Sequence, residues 1–182
     1  MKSAPSEDRE RALAVDILIE SEAWRMLPEA EDIVRRAIAA CPHPALLRSR
    51  GRAGWGRHRN AGVSVLLCDD ATIAGLNGRW RGQHKPTNVL SFPAPPLQGA
   101  APGEKIPLGD IALAYETLAR EAEENGTTIS HHLSHLVVHG FLHLIGYDHH
   151  MEDEAARMER LERDILAGIG VADPYAGCDA DI

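Results

Sequence analysis

Seven of the ten histidines fall between positions 131 and 150. In that segment the chain reads His139-Gly-Phe-Leu-His143-Leu-Ile-Gly146-Tyr-Asp148-His149. Histidines four apart stand on one helix face, one turn apart, so 139 and 143 can grip one ion together. Gly146 lets the chain leave the helix in a conformation that other residues disfavour. The turn can then swing His149 back toward the pair. Neutral imidazole suits zinc, and three protein ligands leave a fourth position for water, as in catalytic sites. The same spacing, with the glycine, occurs among zinc proteases. We therefore expect one divalent ion, zinc first among the candidates, on His139, His143 and His149.

The neighbours offer alternatives. His135 lies four before His139 on the same face, but two turns from His143, about 12 Å at the rise of a helix. A third ligand arriving from beyond the helix C-terminus favours the 139/143 pair and leaves His135 as a packing or supporting residue. His131 and His132 read as exposed residues of the helix start, and His150 is a rival to His149. Proteases place Glu directly after the first histidine as general base. Here that position is Gly140, so a peptidase would need another base. A metal by itself brings the pKa of bound water toward roughly 7. Asp148, the nearest carboxylate in sequence, either orients a ligand histidine or serves the turn.

These histidines need a helix, and the apolar pattern supplies one. Ser130 can cap a helix to about Leu144 that is apolar nearly all round, which places it at the centre. A weak strand is expected over 12–19, a helix from Pro28 to about Cys41, and a strand over Val63–Cys68. Asp69-Asp70 can cap a helix through Arg81. Strands are expected over Thr87–Phe92 and Ile111–Tyr115, separated by a loop with four prolines. A helix over Tyr115–Asn125 stops at Gly126. The last helix, Glu152–Ala167, should bury Ala155, Met158, Leu161 and Ile165 and keep its Arg and Glu outside. The order implies an α+β fold: a small mixed four-stranded sheet packed with about five helices around one buried metal-binding helix. Residues 1–10 and 177–182 read as tails of one domain over 11–176.

Composition sets outer bounds. Apolar residues make up 44% and charged residues 25%, ordinary globular usage. Cys41, Cys68 and Cys178 form no C-x-x-C pair, which argues against a disulfide framework or a cysteine zinc site. No signal-peptide or membrane stretch is evident, so a soluble cytoplasmic protein is expected. The net charge of −8 argues weakly against a whole surface that binds nucleic acid. Yet eight Arg or Lys residues (48, 50, 52, 57, 59, 79, 81 and 85) fall between Arg48 and Lys85, opposed only by Asp69 and Asp70. Such a segment suits phosphates, and Trp55 and Trp80 among the arginines could stack on unpaired bases. The stretch 48–59 is equally well read as a solvated loop.

Three motifs in order resemble the YbeY family. Leu76-Asn77-Gly-Arg-Trp80-Arg81, followed by Lys85-Pro86-Thr87-Asn88-Val89-Leu90-Ser91-Phe92-Pro93, looks like its first. Gly109-Asp110-Ile111 looks like its second, and His139-Gly140 through Tyr147-Asp148-His149 like its third. Asp173-Pro174-Tyr175 also fits, and the resemblance spans roughly 60–175. His84 departs from the pattern, since relatives usually carry Asp there, and 48–59 looks like an extension. The resemblance implies a zinc-dependent, single-strand-specific endoribonuclease that matures the three-prime end of small-subunit ribosomal RNA and serves ribosome quality control. It puts the zinc ligands on His139, His143 and His149, and an arginine implicated in activity on Arg81. Single-stranded or ribosomal RNA and ribosomal proteins or the small-subunit particle are the implied partners, with no membrane and no DNA. A metzincin-like metallopeptidase and a non-catalytic zinc-containing ribosome assembly factor are the alternatives.

Overall fold

Val63, Val65 and Leu67 are buried while Ser64 between them is exposed, the period-two alternation of a strand. The structure, a computed structural model, describes residues 13–42, 61–95, 105–149 and 151–176. Both tails, the Arg-rich stretch with Trp55 and His58, His150 and Cys178 lie outside the described residues. Among those described, four strands form one mixed sheet in the order β1-β2-β4-β3. Here β1 is Ala14–Ile19, β2 Ala61–Cys68, β3 Val89–Pro93 and β4 Ile106–Ala114. The first three in that order run parallel, and β3 closes one edge antiparallel to β4.

Among the described residues five α-helices accompany the sheet: α1 Ala30–Ala40, α2 Asp70–Arg81, α3 Tyr115–Glu124, α4 Ile129–Leu144 and α5 Glu152–Gly168. The α+β expectation is met. The helix α4 packs on β3 and β4 and is flanked by α1, α3 and α5. Its Leu133, Val137, Val138, Phe141, Leu142 and Leu144 are fully buried. On the other sheet face, Ile73 and Leu76 of α2 meet Leu66, Cys68, Leu90, Phe92, Ala112 and Ala114 in a smaller cluster. That helix leaves part of its face open, because Ser64 and Asp110 stay exposed.

Several boundaries differ from expectation for local reasons. A 3-10 helix, Glu22–Met26, precedes α1; its Trp24 is buried, donates its indole N–H to the Cys68 carbonyl at 2.9 Å and meets the Tyr115 ring edge-on. Strand β4 starts five residues earlier than the motif suggested and ends one earlier. Pro107 and Gly109 hide it in the sequence, but they sit at a bulge opposite Gly62 and Val63, where such residues are tolerated. Gly109 takes φ +138° there, against the Phe92 carbonyl. The cap of α4 is Thr128, whose hydroxyl accepts from the His131 N–H at 3.2 Å. Ser130, the expected cap, already lies inside the first turn.

Candidate metal centre

Helix α4 carries His135, His139 and His143 one turn apart, all half-buried. At its end the Gly146 N–H bonds the His143 carbonyl at 3.1 Å and the Tyr147 N–H bonds the Leu142 carbonyl at 3.0 Å. With Gly146 at φ +94°, this is the Schellman arrangement that reverses the chain. His149 comes back over the helix face. Its ring stacks on His139 at 5.7 Å and meets His143 edge-on at 5.0 Å. One ring nitrogen from each of the three lies within 4.8 Å of the others.

The outer hydrogen bonds fix how these rings present themselves. The Nδ1 of His143 faces the Tyr147 carbonyl at 3.1 Å. A carbonyl only accepts, so that nitrogen carries the proton. The Nδ1 of His139 faces the Glu162 carboxylate at 2.8 Å. Burial disfavours the charge on Glu162, but hydrogen bonds from His135, His139 and Tyr175 outweigh it and hold the carboxyl down at about 2. It is therefore ionised at neutral pH, and His139 Nδ1 is the donor. Both Nε2 atoms are left with lone pairs, and they face each other at 3.1 Å. Burial, together with the neighbouring His139 and His149, pulls the His143 pKa down to about 4, so protonation does not resolve the clash at neutral pH. Two imidazole lone pairs aimed at one point, with a third imidazole beside them, suit a divalent cation.

Glu162 was expected on the outer face of α5 and is instead fully buried. Sequence carried a faint signal, since it stands four after Met158 and three before Ile165, within the apolar stripe. Its second oxygen takes the Tyr175 hydroxyl and lies 3.6 Å from His135 Nε2. Arg163 holds the approach to Tyr175 through Asp173 at 3.3 Å. So Glu162 orients His139, and His135, His139 and Glu162 form a second group whose ligand atoms lie within 4.8 Å of one another. Asp148 accepts from the His149 backbone N–H at 2.8 Å, the turn role. His132 corrects another expectation. It is buried and meets Glu121 at 2.9 Å, which also accepts from Asn88 at 2.8 Å. That chain of contacts ties α4 to the segment entering β3.

The Gly140 position has a packing reason. A Cβ there would sit 3.0 Å from Ser91 Oγ, 3.2 Å from Ile111 Cγ2 and 3.4 Å from Val89 Cγ2. A side chain there would need these neighbours to give by a few tenths of an ångström. The three histidines open onto a groove of about 1400 Å³ that runs along β3 and over the open part of the sheet. Arg81, exposed at the end of α2, lines the same groove, with Trp80, Phe92 and Asp110.

The family model described as Endoribonuclease YbeY matches residues 48–170, taking in the Arg-rich stretch that the motifs left aside. A protein named Endoribonuclease YbeY from Rhodopseudomonas palustris (strain BisB18) is 51% identical over 167 residues, covering 91% of this chain and 94% of that one. One of the same name from Bradyrhizobium sp. (strain BTAi1) is 51% identical over 163 residues, covering 88% and 91%. A solution structure from Thermotoga maritima aligns over 92% of this chain and 99% of the other, at 20% identity and a TM-score of 0.48.

Proposed function

The chain belongs to the YbeY endoribonuclease family, and from that premise we propose that it is a metal-dependent endoribonuclease acting on single-stranded RNA. Its work is ribosomal-RNA maturation at the three-prime end of the small-subunit RNA, and ribosome quality control, in the cytoplasm and in contact with small-subunit particles. No helix among the described residues is long and apolar enough to cross a membrane.

The observation that carries this reading is the pair of Nε2 lone pairs converging at 3.1 Å beside His149. His139, His143 and His149 would hold the ion, zinc first among the candidates. When bound, such an ion supplies Lewis-acid polarisation of a phosphoryl oxygen and acidifies water. The chain's own residues do the rest. Glu162 and the Tyr147 carbonyl keep the Nδ1 protons of His139 and His143 away from the groove, so Nε2 stays basic. Arg81 offers a permanent charge to the phosphate oxygens as negative charge builds on them. Gly140, standing where a protease carries its general-base glutamate, weighs against the peptidase alternative.

The test is cleavage of a labelled single-stranded ribosomal-RNA fragment by wild type and His143→Ala, purified identically, with and without chelator. Cutting that disappears in the variant and in chelator is the expected result. Equal cutting by both proteins would mean a contaminating nuclease and sink the reading. No cutting by either would shift weight to a non-catalytic assembly factor.

A further inference from the structure

Trp80 stands in the last turn of α2 with 66% of its surface exposed, a large apolar group left in water. Its ring centroid lies 5.8 Å from that of Phe92, at an interplanar angle of 53°. Phe92 is half-buried against the small cluster under α2, so it backs the indole from below. Both rings line the groove that holds the three histidines. Charged groups stand on either side of the pair. Arg81 follows Trp80 directly, and Asp110 stands exposed opposite Phe92 across the β3–β4 pair. A carboxylate there repels phosphate, so the aromatic end does not track the nucleic-acid backbone. An uncharged ring stacks there without that penalty.

We propose that Trp80 and Phe92 form a stacking subsite for one unpaired base of the RNA, beside the phosphate that Arg81 and the histidine site receive. The proposal rests on the endoribonuclease reading and adds a source of single-strand preference to it. A base inside a duplex has both faces covered by its neighbours and must leave the stack to reach an aromatic side chain. Trp80 acts through binding, while the histidines and Arg81 act at the phosphate.

The experiment uses a short labelled single-stranded RNA and the same RNA made abasic at successive positions. Affinity is read by fluorescence anisotropy on His143→Ala protein, with Trp80 intact and as Trp80→Ala. In parallel, kcat and KM are measured with His143 intact. One abasic position is expected to weaken binding roughly 5- to 150-fold, the increment for losing one base–aromatic stack. Trp80→Ala should cost the same on intact RNA and abolish the sensitivity to that position. Trp80→Phe should restore most of it, and the loss in cleavage should fall on KM. Unchanged affinity in Trp80→Ala, or retained abasic sensitivity, overturns the subsite. If wild type binds in this pattern without cleaving, the catalytic reading fails and the subsite stands. If it cleaves with no dependence on Trp80, the reverse holds. No RNA binding by any variant overturns both.

Discussion

Glu162→Gln separates the charge at the back of the metal centre from its shape. The carboxylate is fully buried and ionised, accepting from His139 Nδ1 and from the Tyr175 hydroxyl. An amide keeps one acceptor oxygen and nearly the same volume, so packing survives. What is lost is charge assistance to both contacts, and the amide NH2 that replaces the second oxygen only donates, so the Tyr175 hydroxyl must turn to accept from it. A hydrogen bond to a charged group contributes about 1 kcal/mol more than a neutral one, so the two together come to about 2 kcal/mol. For a chain of this length each kcal/mol moves Tm by roughly 2–4 °C, which predicts a fall of roughly 4–8 °C without metal. Zinc affinity should drop 10- to 100-fold, the usual effect of removing the outer partner of a ligating histidine. Thermal unfolding in chelator reads the first number, and competition with a fluorescent zinc chelator reads the second. Glu162→Leu should be worse than Glu162→Gln on both, because it leaves the His139 N–H and the Tyr175 hydroxyl without their buried acceptor. If Glu162→Gln binds zinc within twofold of wild type, Glu162 does not set the presentation of His139 and the tautomer argument for the site is wrong.

Other consequences are local. Gly140→Ala gains about 1 kcal/mol of intrinsic helix propensity but drives a methyl against Ser91, Ile111 and Val89; overpacking costs about 1–3 kcal/mol, so urea unfolding should show no gain in stability and a loss of at most about 2 kcal/mol. Asp69 caps α2 by accepting from the Thr72 N–H at 2.7 Å, and that N–H holds its pKa below the ordinary 3.8. A depressed folded pKa means the cap stabilises fully above about pH 4 and fades as pH falls through the lowered value. Asp69→Ala should therefore cost about 1 kcal/mol at pH 7, with its Tm converging on wild type in acid. Burial pushes the Cys41 and Cys68 thiols up to about 12, leaving almost no thiolate at neutral pH. In a Cys178→Ser chain, mass spectrometry should find no iodoacetamide adduct on the folded protein and labelling of both cysteines after unfolding.

Much of the molecule could be read from local pattern. The histidine triad was legible because its logic is short-range: four residues make a helical turn, so His139 and His143 share a face in any fold, and Gly146 marks where the chain can reverse toward it. The apolar completeness of α4 similarly foretold a central helix, and Asp69 foretold the start of α2. Misreadings occurred where tertiary contact overrode local signal. Pro107 and Gly109 mask a strand that the sheet holds through a bulge. His132, polar and near a helix start, is buried because Glu121 and Asn88 meet it there.

Sequence alone pointed to the grouping of His139, His143 and His149 and to the family, since both depend on residue types at fixed spacing along one stretch of chain. The tertiary structure alone decided what stands behind and around that set. Glu162 lies 23 residues beyond His139, and only the packing of α5 on α4 turns a charged-face residue into a buried partner. Trp80 and Phe92 likewise become neighbours only when α2 lies across the sheet. Spacing on one element fixes direction within a turn or two; distance between elements depends on how whole apolar faces come to rest on one another.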